Sequence, residues 1–211
     1  MSKIEWCDIT INPVWGCKFN CDYCYARGIA RRFALQTAKK ECDHIGAPYS
    51  DKLSQRLANF QPTLLKSHLD KKLVKKPKRI FINSMSDPYF WEESWIKAVI
   101  AKIEEYPQHT FLMLTKAPEA YFKFPYIPDN LWVGVTATNQ SEYNKRVTRL
   151  VAVRAKVRFV SFEPLLGHVS LGLNLFHPDD KIHWIIAGGM TGIDSKLMRM
   201  KWIQTIRNHC E

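Results

Sequence analysis

The sequence predicts an α/β fold: a parallel sheet curved into a partial, open (β/α)6 TIM-like barrel. Three observations carry this reading. Short apolar runs alternate with longer segments of helical spacing. The runs are mostly apolar rather than alternating, the pattern of parallel strands covered on both faces. There are six of them, too few for a closed eight-stranded barrel. A doubly wound open sheet is the runner-up. With 211 residues, the chain is expected to form one domain with a substantial core.

The first strand is expected over Ile9–Trp15, followed by a cysteine loop spanning residues 16–27. Tyr25 to about Cys42 reads as helix, because Ala, Arg, Leu and Gln favour it, and Gly46-Ala-Pro48 ends it. A basic insertion covers about residues 43–78. Within it residues 49–62 have no clear pattern, while Leu65, Leu69 and Leu73 share one face of a helix over 64–74.

Arg79–Asn83 is the second strand. Ser94–Tyr106 is a helix with Ile96, Val99, Ile100 and Ile103 at core spacing. Thr110–Leu114 is the third strand, with a short helix near Glu119. Leu131–Val135 is the fourth, followed by a basic helix over Ser141–Arg154. Val157–Ser161 is the fifth, followed by an irregular stretch from Gly167 to Asp180. Ile182–Ala187 is the sixth, and Met198–Cys210 a final helix with Trp202, Ile203 and Ile206 inward.

Thirty-one Lys and Arg oppose twenty Asp and Glu, for a net charge of +11. Such a balance attracts polyanions, here DNA, RNA or nucleotides, although a solvated basic face would look the same. No apolar run approaches the roughly 20 residues needed to span a bilayer, so no membrane is expected. With no targeting segment visible, the expected compartment is the cytoplasm, whose reducing environment suits free thiols.

Three cysteines fall within eight residues, Cys17-Lys-Phe-Asn-Cys21-Asp-Tyr-Cys24. Thiolates are soft ligands, and runs this tight hold iron–sulfur clusters. A cluster with three protein thiolates keeps one iron open for a substrate or cofactor. Structural zinc usually takes two separated ligand pairs, and no second pair is visible. Cys7, Cys42 and Cys210 are isolated and read as structural thiols.

The C-x3-C-x2-C spacing, with aromatic Tyr23 before the third cysteine, resembles the radical S-adenosylmethionine (radical SAM) superfamily. The run Cys21-Asp-Tyr-Cys24-Tyr-Ala-Arg27 is similar to its spore photoproduct lyase branch. The opening Lys3 to Cys17 resembles most closely a phage-associated, radical-SAM-like family of uncharacterised function. The resemblance spans nearly the whole chain. It implies a barrel of the radical SAM type and a 4Fe–4S cluster on Cys17, Cys21 and Cys24. It further implies S-adenosylmethionine chelating the open iron and being cleaved reductively to a 5′-deoxyadenosyl radical. An electron donor such as flavodoxin or ferredoxin follows as a partner.

Reactive residues of parallel α/β folds gather at the carboxyl ends of strands. After the second strand, Ser84, Ser86 and Asp87 stand where related proteins hold the ammonium of S-adenosylmethionine. They replace the usual Gly-Gly-Glu and resemble the Thr-Asp-Pro-Tyr segment of the lyase branch. A helix cap by Ser86 or Asp87 is the structural alternative. After the third strand, Lys116 can pair with a carboxylate or phosphate. After the fourth, Thr136 and Thr138 can reach ribose hydroxyls, or Thr138 or Asn139 can cap the next helix. After the fifth, Glu163 offers a carboxylate to cofactor or substrate, or forms an ion pair. After the sixth, Gly188 and Gly189 allow close backbone approach to a ligand. The phage-associated family usually carries Gly-Gly-Glu-Ser-Gly there, whereas this chain has Met190 and Thr191 after the glycines.

The expected function is therefore a radical SAM enzyme acting on a nucleic acid or nucleotide, with Lys116 and Glu163 as catalytic candidates. A radical SAM enzyme of a small metabolite is one alternative. A non-catalytic zinc or iron–sulfur nucleic-acid-binding module is another.

Overall fold

The computed structural model describes residues 4–172, 182–190 and 195–210. Its strands are β1 (Ile9–Thr10), β2 (Val14–Trp15), β3 (Thr63–Leu64), β4 (Arg79–Phe81), β5 (Thr110–Thr115), β6 (Leu131–Thr136), β7 (Arg158–Phe162) and β8 (Trp184–Ala187). Its α-helices are α1 (Tyr25–His44), α2 (Asp51–Ala58), α3 (Lys66–Leu69), α4 (Glu93–Glu104), α5 (Gln140–Leu150) and α6 (Met200–Cys210). Six strands form an all-parallel sheet in the order β1-β4-β5-β6-β7-β8. The order never reverses, so the sheet is singly wound, not doubly wound.

The α/β class is as expected, but the architecture corrects the expected partial (β/α)6 TIM-like barrel of the radical SAM type. The sheet is a small half-barrel and is not built from six equal βα units. A 3₁₀ helix, Pro118–Lys123, takes the place of an α-helix between β5 and β6. Pro118, Pro125 and Pro128 lie in that connection, and each lacks the N–H that a helix interior needs. Among the described residues no helix joins β7 to β8. The expected irregular stretch there lies partly outside the described residues, at 173–181.

The expected first strand, Ile9–Trp15, is split. Pro13 cannot donate to a ladder, and the chain changes sheets around it. Ile9 and Thr10 pair in parallel with Ile80 and Phe81. Val14 and Trp15 instead pair antiparallel with Leu64 and Thr63. The expected helix over 64–74 shrinks to α3. Buried Glu41 caps it, accepting from Lys66 N at 2.7 Å and Ser67 N at 2.9 Å. Beyond it, the lysines from Lys71 to Lys78 repel one another and Pro77 blocks continuation. The patternless stretch 49–62 contains α2, whose start Ser50 caps through Leu53 N at 3.2 Å.

Successive strand residues face opposite sides of the sheet. Ile80, Phe111 and Leu131 align in register and join the cluster formed with α4, α5 and α6. Their neighbours Phe81, Leu112 and Trp132 align on the other face, with Phe159 and Trp184. The N-terminal segment closes over that second face. Trp6 packs 4.7 Å from Phe81 between ring centroids and edge-on to Trp184 at 6.3 Å.

Candidate functional site

The cysteine loop begins from a constrained backbone. Gly16 has φ of +101°, and a Cβ there would meet the Gln61 carbonyl carbon at 2.3 Å. Only glycine satisfies both conditions. Gly16 N donates to Met85 O at 2.9 Å, and Cys17 N donates to Phe60 O at 3.0 Å. Phe60 itself sits in the left-handed region at φ +55°. The loop is thus held between the segment after β4 and the turn after α2. Asn12 completes the anchorage, accepting through Oδ1 from Ser84 Oγ at 3.1 Å and Met85 N at 2.9 Å.

The twenty-residue helix α1 starts directly after Cys24. Its positive end therefore adjoins Cys24, its N-cap, at the close of the cysteine loop. Burial acts on Cys17 and pushes its thiol up to about 12. The Phe19 amide partly offsets this, while Asp87, Cys21 and Cys24 add to it. As thiolates the three sulfurs would repel one another, a charge that a bound cation would neutralise. Cys17, Cys21 and Cys24 therefore have the soft donor chemistry that an iron–sulfur cluster needs. Among the described residues, no three His, Cys, Asp or Glu side chains stand ready as a metal centre. The donors are present without a preformed cage. All six cysteines are thiols rather than disulfides.

The other candidates follow β4 to β8 along the same edge. Lys116 Nζ donates to Tyr23 OH at 2.8 Å and lies 5.0 Å from the centre of that ring. This contact ties the cysteine loop to the end of β5. Burial raises the Tyr23 phenol above its ordinary value, with the Lys116 charge opposing. Asp87 is buried and its acceptors are engaged. Oδ1 takes Thr115 Oγ1 at 2.7 Å and Tyr89 N at 3.0 Å, and Oδ2 takes Lys116 N at 2.9 Å. Asp87 thereby caps the 3₁₀ helix Pro88–Phe90. Burial raises its carboxyl against these hydrogen bonds. Ser86 Oγ accepts from Trp91 Nε1 at 3.2 Å.

Thr138 is similarly engaged: its N and Oγ1 donate to Glu142 at 2.8 and 3.0 Å. The cap of α5 is Asn139, which accepts from Glu142 N at 3.0 Å. The Thr136 carbonyl accepts from Arg146 at 2.6 Å. Glu163 is exposed and accepts from Trp6 Nε1 at 2.8 Å and Ser161 Oγ at 3.0 Å. Gly188 makes room for it, since a Cβ there would stand 3.3 Å from Glu163 Oε1. Gly189 faces Met198 instead, which a Cβ would meet at 3.7 Å. Met190 is described, whereas Thr191 and Gly192 lie outside the described residues.

One protein-family model matches residues 1–211, that of a protein of unknown function, DUF5131. The chain belongs to the DUF5131 family. No curated protein and no solved structure matches it. The family name carries no role, so the chemistry of this DUF5131 chain rests on its own residues.

Sequence reasoning missed Trp6, Asn12 and Glu142. Trp6 and Asn12 act through hydrogen bonds to residues far away in sequence, which no spacing announces, whereas the Asn139-x-x-Glu142 capping spacing was there to find Glu142. It also passed over Arg27, although Arg27 and Arg31 are an i, i+4 pair on the helix beside the cysteines. Among the described residues, no helix is long and apolar enough to cross a membrane.

Proposed function

We propose that this chain is a radical SAM enzyme acting on a nucleic acid or nucleotide. One observation carries the reading: three thiols at C-x3-C-x2-C spacing follow the first parallel strand and adjoin the start of α1. In this reading Cys17, Cys21 and Cys24 hold a 4Fe–4S cluster. Such a cluster, when bound, supplies one electron to the sulfonium of S-adenosylmethionine. The chain's own residues bind and orient. Gly16 fixes where the loop starts, and Lys116 fixes Tyr23 inside it. Glu163 presents an exposed carboxylate, with Gly188 leaving space beside it. Ser84 and Ser86 line the segment that bridges to Gly16. The net charge of +11 supports a polyanionic substrate. An electron donor such as flavodoxin or ferredoxin completes the system, and six unbridged thiols suit a reducing, cytoplasmic setting.

The test is anaerobic reconstitution with iron and sulfide, then dithionite and S-adenosylmethionine, with 5′-deoxyadenosine as the product measured. Formation that is lost in Cys17→Ser, Cys21→Ser and Cys24→Ser, together with bound iron, supports the reading. Iron and cleavage retained in those variants overturn it. A colourless protein carrying zinc would instead make the cysteine loop a zinc module.

A further inference from the structure

We infer that the pocket between the cysteine loop, α1 and the turn after α2 is a binding site for a phosphate group. The cavity measures about 310 Å³, at the lower end of the roughly 300–1,000 Å³ usual for small-ligand sites. Lys18, Arg27 and Arg31 line it, and among the described residues no acidic side chain does. Arg27 and Arg31 stand one turn apart on α1 and so share a face. The amides of Asn20 and Gln61 add neutral donors.

Arg27 is the decisive residue. Its Nη1 donates to Asn20 Oδ1, which fixes the guanidinium plane. Its Nε is buried and has no hydrogen-bond partner among the described residues. Buried donors are nearly always paired, so a guanidinium that lines the cavity while one of its donors stays unpaired calls for an acceptor beside it. Among the described residues neither Lys18 nor Arg31 has an acidic partner within 4.0 Å. Three cations without a counter-charge suit a dianion better than a single carboxylate. The planar arginine fork matches phosphate oxygens. The chain's net charge of +11 adds long-range attraction for a phosphate-bearing ligand. Cys17 lines the pocket but Cys21 and Cys24 do not, and the inference holds whether or not the cysteines bind iron.

The experiment uses the iron-free full chain at low salt. Calorimetry measures inorganic pyrophosphate, and fluorescence anisotropy measures a labelled single-stranded oligonucleotide. Arg27→Gln and Arg31→Gln are compared with Arg32→Gln, a neighbour outside the pocket. Pyrophosphate is expected to bind saturably, about tenfold more weakly in Arg27→Gln and Arg31→Gln, and within about threefold of wild type in Arg32→Gln. Pyrophosphate that displaces the oligonucleotide assigns the site to a backbone phosphate. Binding without displacement assigns it to a small phosphate ligand. Arg31 is exposed, so Arg31→Gln is read even if Arg27→Gln disturbs the cysteine loop. No saturable pyrophosphate binding, or unchanged affinity in Arg31→Gln, overturns the inference.

Discussion

The indole of Trp6 donates to the Glu163 carboxylate at 2.8 Å, linking the segment before β1 to the end of β7. The same ring packs on Phe81 and Trp184, so one side chain both covers the sheet face and holds the exposed carboxylate. Trp6→Phe keeps an aromatic ring and loses the hydrogen bond with part of the ring contact, an expected cost of about 1 kcal/mol. Trp6→Ala also loses the ring contacts and is expected to cost about 2–3 kcal/mol. Urea unfolding midpoints measure both. Losses below about 0.5 kcal/mol in each would mean that the N-terminal segment does not seal this face.

Glu142 gives the fold a pH dependence of known sign. Burial acts to raise its carboxyl, but the Thr138 amide, the Arg146 charge and the Thr138 hydroxyl prevail. They hold it below the ordinary value of 4.5. The folded chain therefore binds this proton less tightly than the unfolded chain does. The resulting stability is present above pH 4.5 and is lost as pH falls through the lowered value. Glu142→Gln is expected to cost about 1–2 kcal/mol near neutral pH, through its charged hydrogen bonds. Its deficit relative to wild type should shrink as pH drops below 4.5. Unfolding curves across that range test this, and a gap independent of pH would contradict it.

The strands are readable because burial on both faces leaves them mostly apolar. Thr110–Thr115 and Leu131–Thr136 each fall within one residue of the expected spans. Ile9–Trp15 misleads because apolar residues continue on both sides of Pro13, and only pairing shows that the chain changes sheets. The barrel expectation failed in the connections, where prolines replaced a crossover helix. The order of candidates along one sheet edge was legible from chain position alone. Their occupancy was not. Asp87 and Thr138 look like ligand-binding groups in sequence, yet Asp87 meets Thr115 and Lys116 once β4 and β5 are side by side, and Thr138 meets Glu142 one turn on at the start of α5.

Two glycines make opposite predictions. Gly16 combines φ +101° with a 2.3 Å clash for any added Cβ. Gly16→Ala is expected to cost more than about 2 kcal/mol, because backbone must move. Gly28 lies in α1 with nothing within 4 Å of an added Cβ. Gly28→Ala is expected to stabilise by about 0.5–1 kcal/mol, from lower chain entropy when unfolded. Thermal melts rank the two against wild type. In Gly16→Ala, iron uptake by Cys17, Cys21 and Cys24 should fall too, whereas Gly28→Ala leaves it unchanged. A Gly16→Ala protein that melts like wild type would show that the loop entry is not fixed there.

Lys116 and Tyr23 allow a structural tether to be separated from chemistry. The 2.8 Å hydrogen bond and the ring contact join β5 to the middle of the cysteine loop. Tyr23→Phe removes the hydroxyl and keeps the ring, while Lys116→Met keeps the stem and removes the charge. A double-mutant cycle is expected to give a coupling of about 0.5–1 kcal/mol, because the pair is half-buried. Amide exchange across residues 18–24 should quicken in both variants, as each frees the loop from β5. Activity divides them. Under the proposed radical SAM reading, a lysine that only pins Tyr23 would lower 5′-deoxyadenosine formation equally in the two variants. A lysine that also pairs with a carboxylate or phosphate of the bound molecule makes Lys116→Met at least about tenfold worse. That larger loss is the expected outcome, because the charge on Lys116 has no acidic partner within 4.0 Å among the described residues. Equal losses would reduce Lys116 to a tether.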